Sequence, residues 1–122
     1  MKLEVGMYVR LENDVEDIVI INRIADVFEN TILTENDGSI YQGEYTKENV
    51  IKASYNIIEL IKSKDIILGR DGKIYQCWKI YKGYVFTYSK NKQGQTITLV
   101  DYQIDKVLTK EQFEQMAYKV GE

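Results

Sequence analysis

The sequence predicts a mainly β protein built as two small halves in tandem. Three observations carry that expectation. Short runs rich in β-branched and aromatic residues recur along the chain, polar turns ending in glycine separate them, and the order of runs in the first half returns in the second.

The runs fall at residues 8–11, 18–24, 31–34, 66–68, 74–81, 84–88 and 96–100. Valine, isoleucine, threonine and tyrosine dominate them, and stiff or flat side chains of this kind pack well on a pleated surface. Between them, Asn36-Asp37-Gly38, Asp71-Gly72, Lys82-Gly83 and Asn91-Lys92-Gln93-Gly94 each close on glycine, which supplies the positive φ of a tight hairpin. The chain has no proline, so its turns rest on Gly, Asn and Asp. The connections are therefore hairpins rather than crossovers.

Two short helices interrupt this pattern. One is expected near 56–61, where Asn56 precedes Ile57-Ile58-Glu59-Leu60-Ile61 with a glutamate three positions on; a strand continuing over 53–61 is the rival reading. The other is expected over 110–116, capped by Thr109 with Gln112 in the capping-box position and Phe113 and Met116 facing inward. Tyr118-Lys119-Val120 is then placed to close the last sheet.

Aligning the halves pairs Tyr8-Val9 with Ile66-Ile67, residues 18–24 with 74–80, Val27-Phe28 with Val85-Phe86, and Val50 and Lys52 with Ile104 and Lys106. About five strands per half fit two small Src-homology-3-like half-barrels in tandem, with domains at 1–61 and 62–122. Units this small are marginal alone, so the two are expected to pack together.

Composition narrows the function classes. With 122 residues and 44% hydrophobic content the chain is long enough to fold but not to hold a large enzyme. There is no histidine, which removes the commonest general base and zinc ligand, and the single cysteine, Cys77, excludes an internal disulfide. Cys77 reads as a small buried filler rather than a nucleophile. No catalytic residues, metal or cofactor are expected. The amino terminus is charged too early for a secretory signal and no apolar run reaches membrane-spanning length, so a cytoplasmic location is expected.

Charge is distributed unevenly. Residues 1–61 hold 5 Lys+Arg against 12 Asp+Glu, whereas residues 62–92 hold 8 against 2. The acidic half offers Glu12, Asp14, Glu16, Asp17, Glu35 and Asp37 as a partner-binding face, whose carboxylates copy the negative surface of a nucleic acid; a solvated loop is the plainer reading. In the basic stretch Arg70, Lys73, Trp78, Lys79, Tyr81, Lys82 and Tyr88, with Tyr84 and Phe86 among the rings, interleave cations with aromatics, as stacking on bases and neutralising phosphates requires. The plainer reading there is a set of core aromatics flanked by solvated lysines, because strand residues alternate between faces.

The string Ile51-Lys52-Ala53-Ser54-Tyr55-Asn56-Ile57-Ile58-Glu59-Leu60-Ile61 with Asp65-Ile66-Ile67, and the ending Thr109-Lys110-Glu111-Gln112-Phe113-Glu114-Gln115-Met116-Ala117-Tyr118-Lys119-Val120, resemble small proteins encoded by phages and prophages of Firmicutes and Fusobacteria. That group has no catalytic motif to carry over. The resemblance implies a non-enzymatic accessory protein of the host bacterial cytoplasm that inhibits a nucleic-acid-guided defence nuclease, in the manner of an anti-CRISPR protein. Its partner would be a host protein or ribonucleoprotein. The alternative is a single-stranded nucleic-acid-binding module using the basic and aromatic strip, and the oligomeric state stays open.

Overall fold

A computed structural model describes residues 2–13, 18–35 and 43–114. The chain divides into two units, Met1–Asn56 and Ile57–Glu122. The division thus falls after Asn56, ahead of the sequence-based boundary after Ile61.

In the first unit, strands β1 (Tyr8–Asn13), β2 (Ile18–Val27), β3 (Thr31–Thr34), β4 (Glu44–Thr46) and β5 (Val50–Ser54) form one sheet in the order β4-β3-β2-β1-β5. Every neighbouring pair is antiparallel. The period-2 pattern turns Val9 and Leu11, Ile20 and Ile24, and Ile32 to one face. Leu3, Met7, Val27, Tyr45, Val50 and Ala53 pack against that cluster. A 3-10 turn, Lys47–Asn49, leads from β4 into β5, which returns to pair with β1.

The second unit repeats the plan. Strands β6 (Ile66–Gly69), β7 (Ile74–Tyr81), β8 (Tyr84–Lys90), β9 (Thr96–Leu99) and β10 (Ile104–Leu108) run in the order β10-β6-β7-β8-β9. A 3-10 turn, Asp101–Gln103, again precedes the last strand. Ile67, Tyr75, Cys77, Val85, Leu99, Ile104 and Val107 are buried.

The ladders fix the equivalence of the halves more sharply than the sequence does. Ile24 pairs with Thr34 and Val27 with Ile32; Cys77 pairs with Thr87 and Ile80 with Val85. Ile24 is therefore the counterpart of Cys77, Val27 of Ile80 and Ile32 of Val85, which corrects the alignment of 18–24 with 74–80 and of Val27-Phe28 with Val85-Phe86. Apolar strings slide easily against one another, whereas hydrogen-bond register does not. The pairings of Tyr8-Val9 with Ile66-Ile67, and of Val50 and Lys52 with Ile104 and Lys106, agree with the ladders.

Both sheets are open: among the described residues β4 and β5 are the edges of the first and β9 and β10 of the second. Two further expectations change. The helix expected at 56–61 is a 3-10 turn, Ile57–Leu60, which buries Ile57, Ile58 and Leu60 within one turn. The last helix is present over 110–114, and its box is closed on both sides. The Gln112 N–H donates to Thr109 Oγ1 (3.1 Å) and the Thr109 N–H to Gln112 Oε1 (2.9 Å). Phe113, expected inward, is 47% exposed, because the turn buries Gln112 instead. Met116 and the 118–120 segment lie outside the described residues.

Candidate functional site

The site grows out of one irregularity in the β7–β8 hairpin. Tyr75 and Cys77 point inward along β7, as alternation demands. On the buried side Cys77 then pairs with Thr87 and Ile80 with Val85, so Trp78 and Lys79 together face the single residue Phe86. This β-bulge adds one residue to β7, and both Trp78 and Lys79 turn outward. Beyond it, Tyr81 pairs with Tyr84 across the two-residue loop Lys82-Gly83, whose φ values of 50° and 81° fit a type I′ turn. Alternation along β8 places Tyr84, Phe86 and Tyr88 on the same outer face.

The result is an exposed aromatic ladder with ammonium groups seated on it. Trp78, Tyr81 and Tyr88 are 45, 56 and 48% exposed, too much for core residues of a closed unit. Trp78 meets Phe86 edge-to-face, with centroids 6.4 Å apart and planes at 81°. Lys79 Nζ stands 4.7 Å from the Trp78 ring centroid, 5.0 Å from that of Phe86 and 6.0 Å from that of Tyr81. Lys82 Nζ lies 5.3 Å from the Tyr81 ring. Lys64 Nζ lies 4.7 Å from the Tyr88 ring and donates to the Tyr88 hydroxyl at 2.8 Å. Each such contact contributes about 0.5–1 kcal/mol at an exposed site and holds a cation beside a ring.

Of the expected basic and aromatic residues, Trp78, Lys79, Tyr81, Lys82 and Tyr88 therefore come together. Arg70 and Lys73 do not: both are exposed at the opposite end of β7, whose eight residues span about 23 Å. Tyr84, Phe86 and Lys64 complete the ladder. Tyr84 and Phe86 belong to the strip of rings expected from the sequence. Nothing in the sequence points to Lys64, because its contact with Tyr88 spans 24 positions.

The acidic set is represented by two described residues. Glu12 is exposed on β1 opposite Val19, and Glu35 accepts an ion pair from Arg23 at 2.8 Å. Asp14, Glu16, Asp17 and Asp37 lie outside the described residues. The ladder equivalence nevertheless gives the first unit a face matching the aromatic one. Ala25, Asp26, Glu29, Leu33 and Glu35 occupy the positions that Trp78, Lys79, Lys82, Phe86 and Tyr88 occupy in the second. At two of these positions an acid in the first unit stands where the second unit has a lysine, Asp26 for Lys79 and Glu29 for Lys82.

Cys77 is buried, and desolvation, followed by the charge of Asp65, pushes its thiol up to about 11. A thiol held neutral there is a poor nucleophile. Asp71 and Tyr75 form a separate local pair: the Tyr75 hydroxyl donates to Asp71 Oδ2 at 2.7 Å. That bond, then the Lys73 N–H, lowers the Asp71 carboxyl, and the same bond raises Tyr75. Among the described residues no group of three Cys, Asp or Glu could hold a metal ion, and no helix is long and apolar enough to cross a membrane. Compared with known proteins, the chain matches no family model, no curated protein and no solved structure.

Proposed function

We propose that the chain is a non-catalytic binding module whose second unit takes up single-stranded nucleic acid on the outer face of β7 and β8. The observation that carries this reading is the bulge at Trp78-Lys79, which turns a tryptophan, a lysine and the neighbouring tyrosines to one exposed side. Every base has a π-face, so a run of accessible rings stacks unpaired bases without regard to sequence, at about 1–3 kcal/mol per base. The lysine ammonium groups stand beside the rings, where the backbone of a stacked strand would pass.

Fluorescence titration tests the reading directly, since Trp78 is the only tryptophan. Labelled single-stranded DNA or RNA at low salt should quench it and bind with an affinity that falls as salt rises. Replacing Trp78 and Tyr81 with Ala should weaken binding by about 1–3 kcal/mol per ring removed. No anisotropy change for any single strand at low salt would dispose of the reading.

A second reading draws on the charge-reversed face. Asp26, Glu29 and Glu35 hold, in the first unit, the positions of Lys79, Lys82 and Tyr88. A negative surface on this scaffold would compete with nucleic acid for the basic channel of a defence nuclease in a bacterial cytoplasm, which agrees with the phage-protein resemblance. Target cleavage by such nucleases should then fall when the protein is added and recover with Asp26→Lys and Glu29→Lys. As to fold, the return of each fifth strand to the first, and the 3-10 turn before it, support two open variants of the Src-homology-3-like plan.

A further inference from the structure

The two halves share a turn that they fill differently. In the first unit the Met7 N–H donates to Glu4 O, the Gly6 N–H to Ile24 O and the Ile24 N–H to Met7 O. In the second the Asp65 N–H donates to Lys62 O, the Lys64 N–H to Cys77 O and the Cys77 N–H to Asp65 O. The bonds correspond one for one. Even the side-chain brace is kept, with Arg23 Nε donating to Gly6 O (3.3 Å) and Gln76 Nε2 to Lys64 O (3.4 Å). Both turns need a left-handed corner: φ is 93° at Gly6 and 79° at Lys64. Glycine adopts that conformation without a steric cost, and lysine does not.

Among the described residues, the non-glycine positions with positive φ are Lys64 and Lys82. The first stands where a type II turn calls for glycine, the second at the first central position of a type I′ turn, where Asn, Asp or Gly is the usual choice. Both are lysines, and both lay their ammonium group on an exposed tyrosine of the ladder, Tyr88 and Tyr81. Tyr88 and Tyr84, the cross-strand partner of Tyr81, lie four residues apart on β8, about 13 Å. Backbone strain retained twice, at opposite ends of one ladder, points to a use for the side chains. The first unit shows that the turn itself needs none.

We infer that Lys64 and Lys82 are the phosphate-gripping residues of the strip, one at each end, and that they bracket the run of nucleotides stacked between them. This rests on the reading of the second unit as a single-strand binder. The left-handed corner sets where each stem leaves the backbone, and the contacts with Tyr88 and Tyr81 hold the ammonium at its far end.

The test compares wild type with Lys64→Gly plus Lys82→Asn, and with Lys64→Gln plus Lys82→Gln. Affinity for a labelled oligothymidylate is read across a salt series, and stability by urea unfolding. The Gly/Asn pair relieves strain while removing charge, so its unfolding midpoint should hold or rise. The Gln pair keeps the strain. Both should bind roughly twentyfold more weakly at 0.1 M salt, with the slope of log K against log salt reduced by about 1.4, since each lost single-strand phosphate contact removes about 0.7. If wild type binds and both double variants keep its affinity and slope, the assignment of these lysines is overturned while the reading of the surface stands. If wild type fails to bind, both fall together.

Discussion

Removing the Asp65 carboxylate should loosen the second unit more than any other single change of a charged residue among those described there. Its side chain is almost wholly buried, at 1% exposed, and bridges distant parts of the chain. Oδ2 accepts from the Lys62 N–H at 2.8 Å, closing the turn before β6, and Oδ1 accepts from the Lys110 N–H at 2.9 Å, in the first turn of the last helix. In Asp65→Ala both backbone amides lose their acceptor. Each unsatisfied donor costs about 1–3 kcal/mol, and since Lys62 and Lys110 are exposed enough for water to reach their amides, about 3 kcal/mol in total is expected. With a urea slope of about 1.5 kcal/mol/M, the midpoint should drop by about 2 M. Asp65→Asn keeps one acceptor but turns an N–H toward the other donor, and should fall between. Trp78 fluorescence reads the transition of this unit. A midpoint for Asp65→Ala within about 0.3 M of wild type would mean that the carboxylate does not bridge these segments, since the linear slope makes that less than about 0.5 kcal/mol.

Two further outcomes follow from the titrating groups. The Asp71 carboxyl is held below its ordinary 3.8, so its bond to Tyr75 stabilises the fold above that pH and is lost as pH falls through the lowered value. Tyr75 is raised above 10.0, so the same bond is retained below that pH and is lost as pH climbs through the raised value. Unfolding midpoints of Tyr75→Phe should therefore be flatter than wild type at both extremes, and parallel pH profiles would contradict the pairing. Cys77, buried with its thiol pushed up to about 11, should resist a thiol-specific disulfide reagent at pH 8 in the native protein and react at once in denaturant. Rapid native labelling would mean that β7 opens.

Local pattern alone made the strand-rich class, most of the strands and the two related halves legible. Residues 31–34 and 74–81 coincide with β3 and β7 because a local, period-2 apolar pattern and glycine turns leave the backbone little choice. The capping box at Thr109 was legible for the same reason, being complete within four residues. Strands β5 and β10 stood outside the expected runs and entered only through the repeat, and β4 was missed, since Glu44-Tyr45-Thr46 is too short to show a period and is a strand only through its pairing with β3.

Which rings face solvent was not legible in the sequence and follows from the pairing of strands. Strict alternation puts Trp78 and Lys79 on opposite faces of a strand, and one inserted residue in the ladder to β8 sets both on the same side. A bulge is a property of two strands in register, so no reading of β7 alone contains it. Lys64 belongs to the same class of fact. It joins the ladder because the pairing of β6, β7 and β8 carries Tyr88 to it, and chain separation hides such a contact until the hydrogen bonds across the sheet have chosen the neighbours.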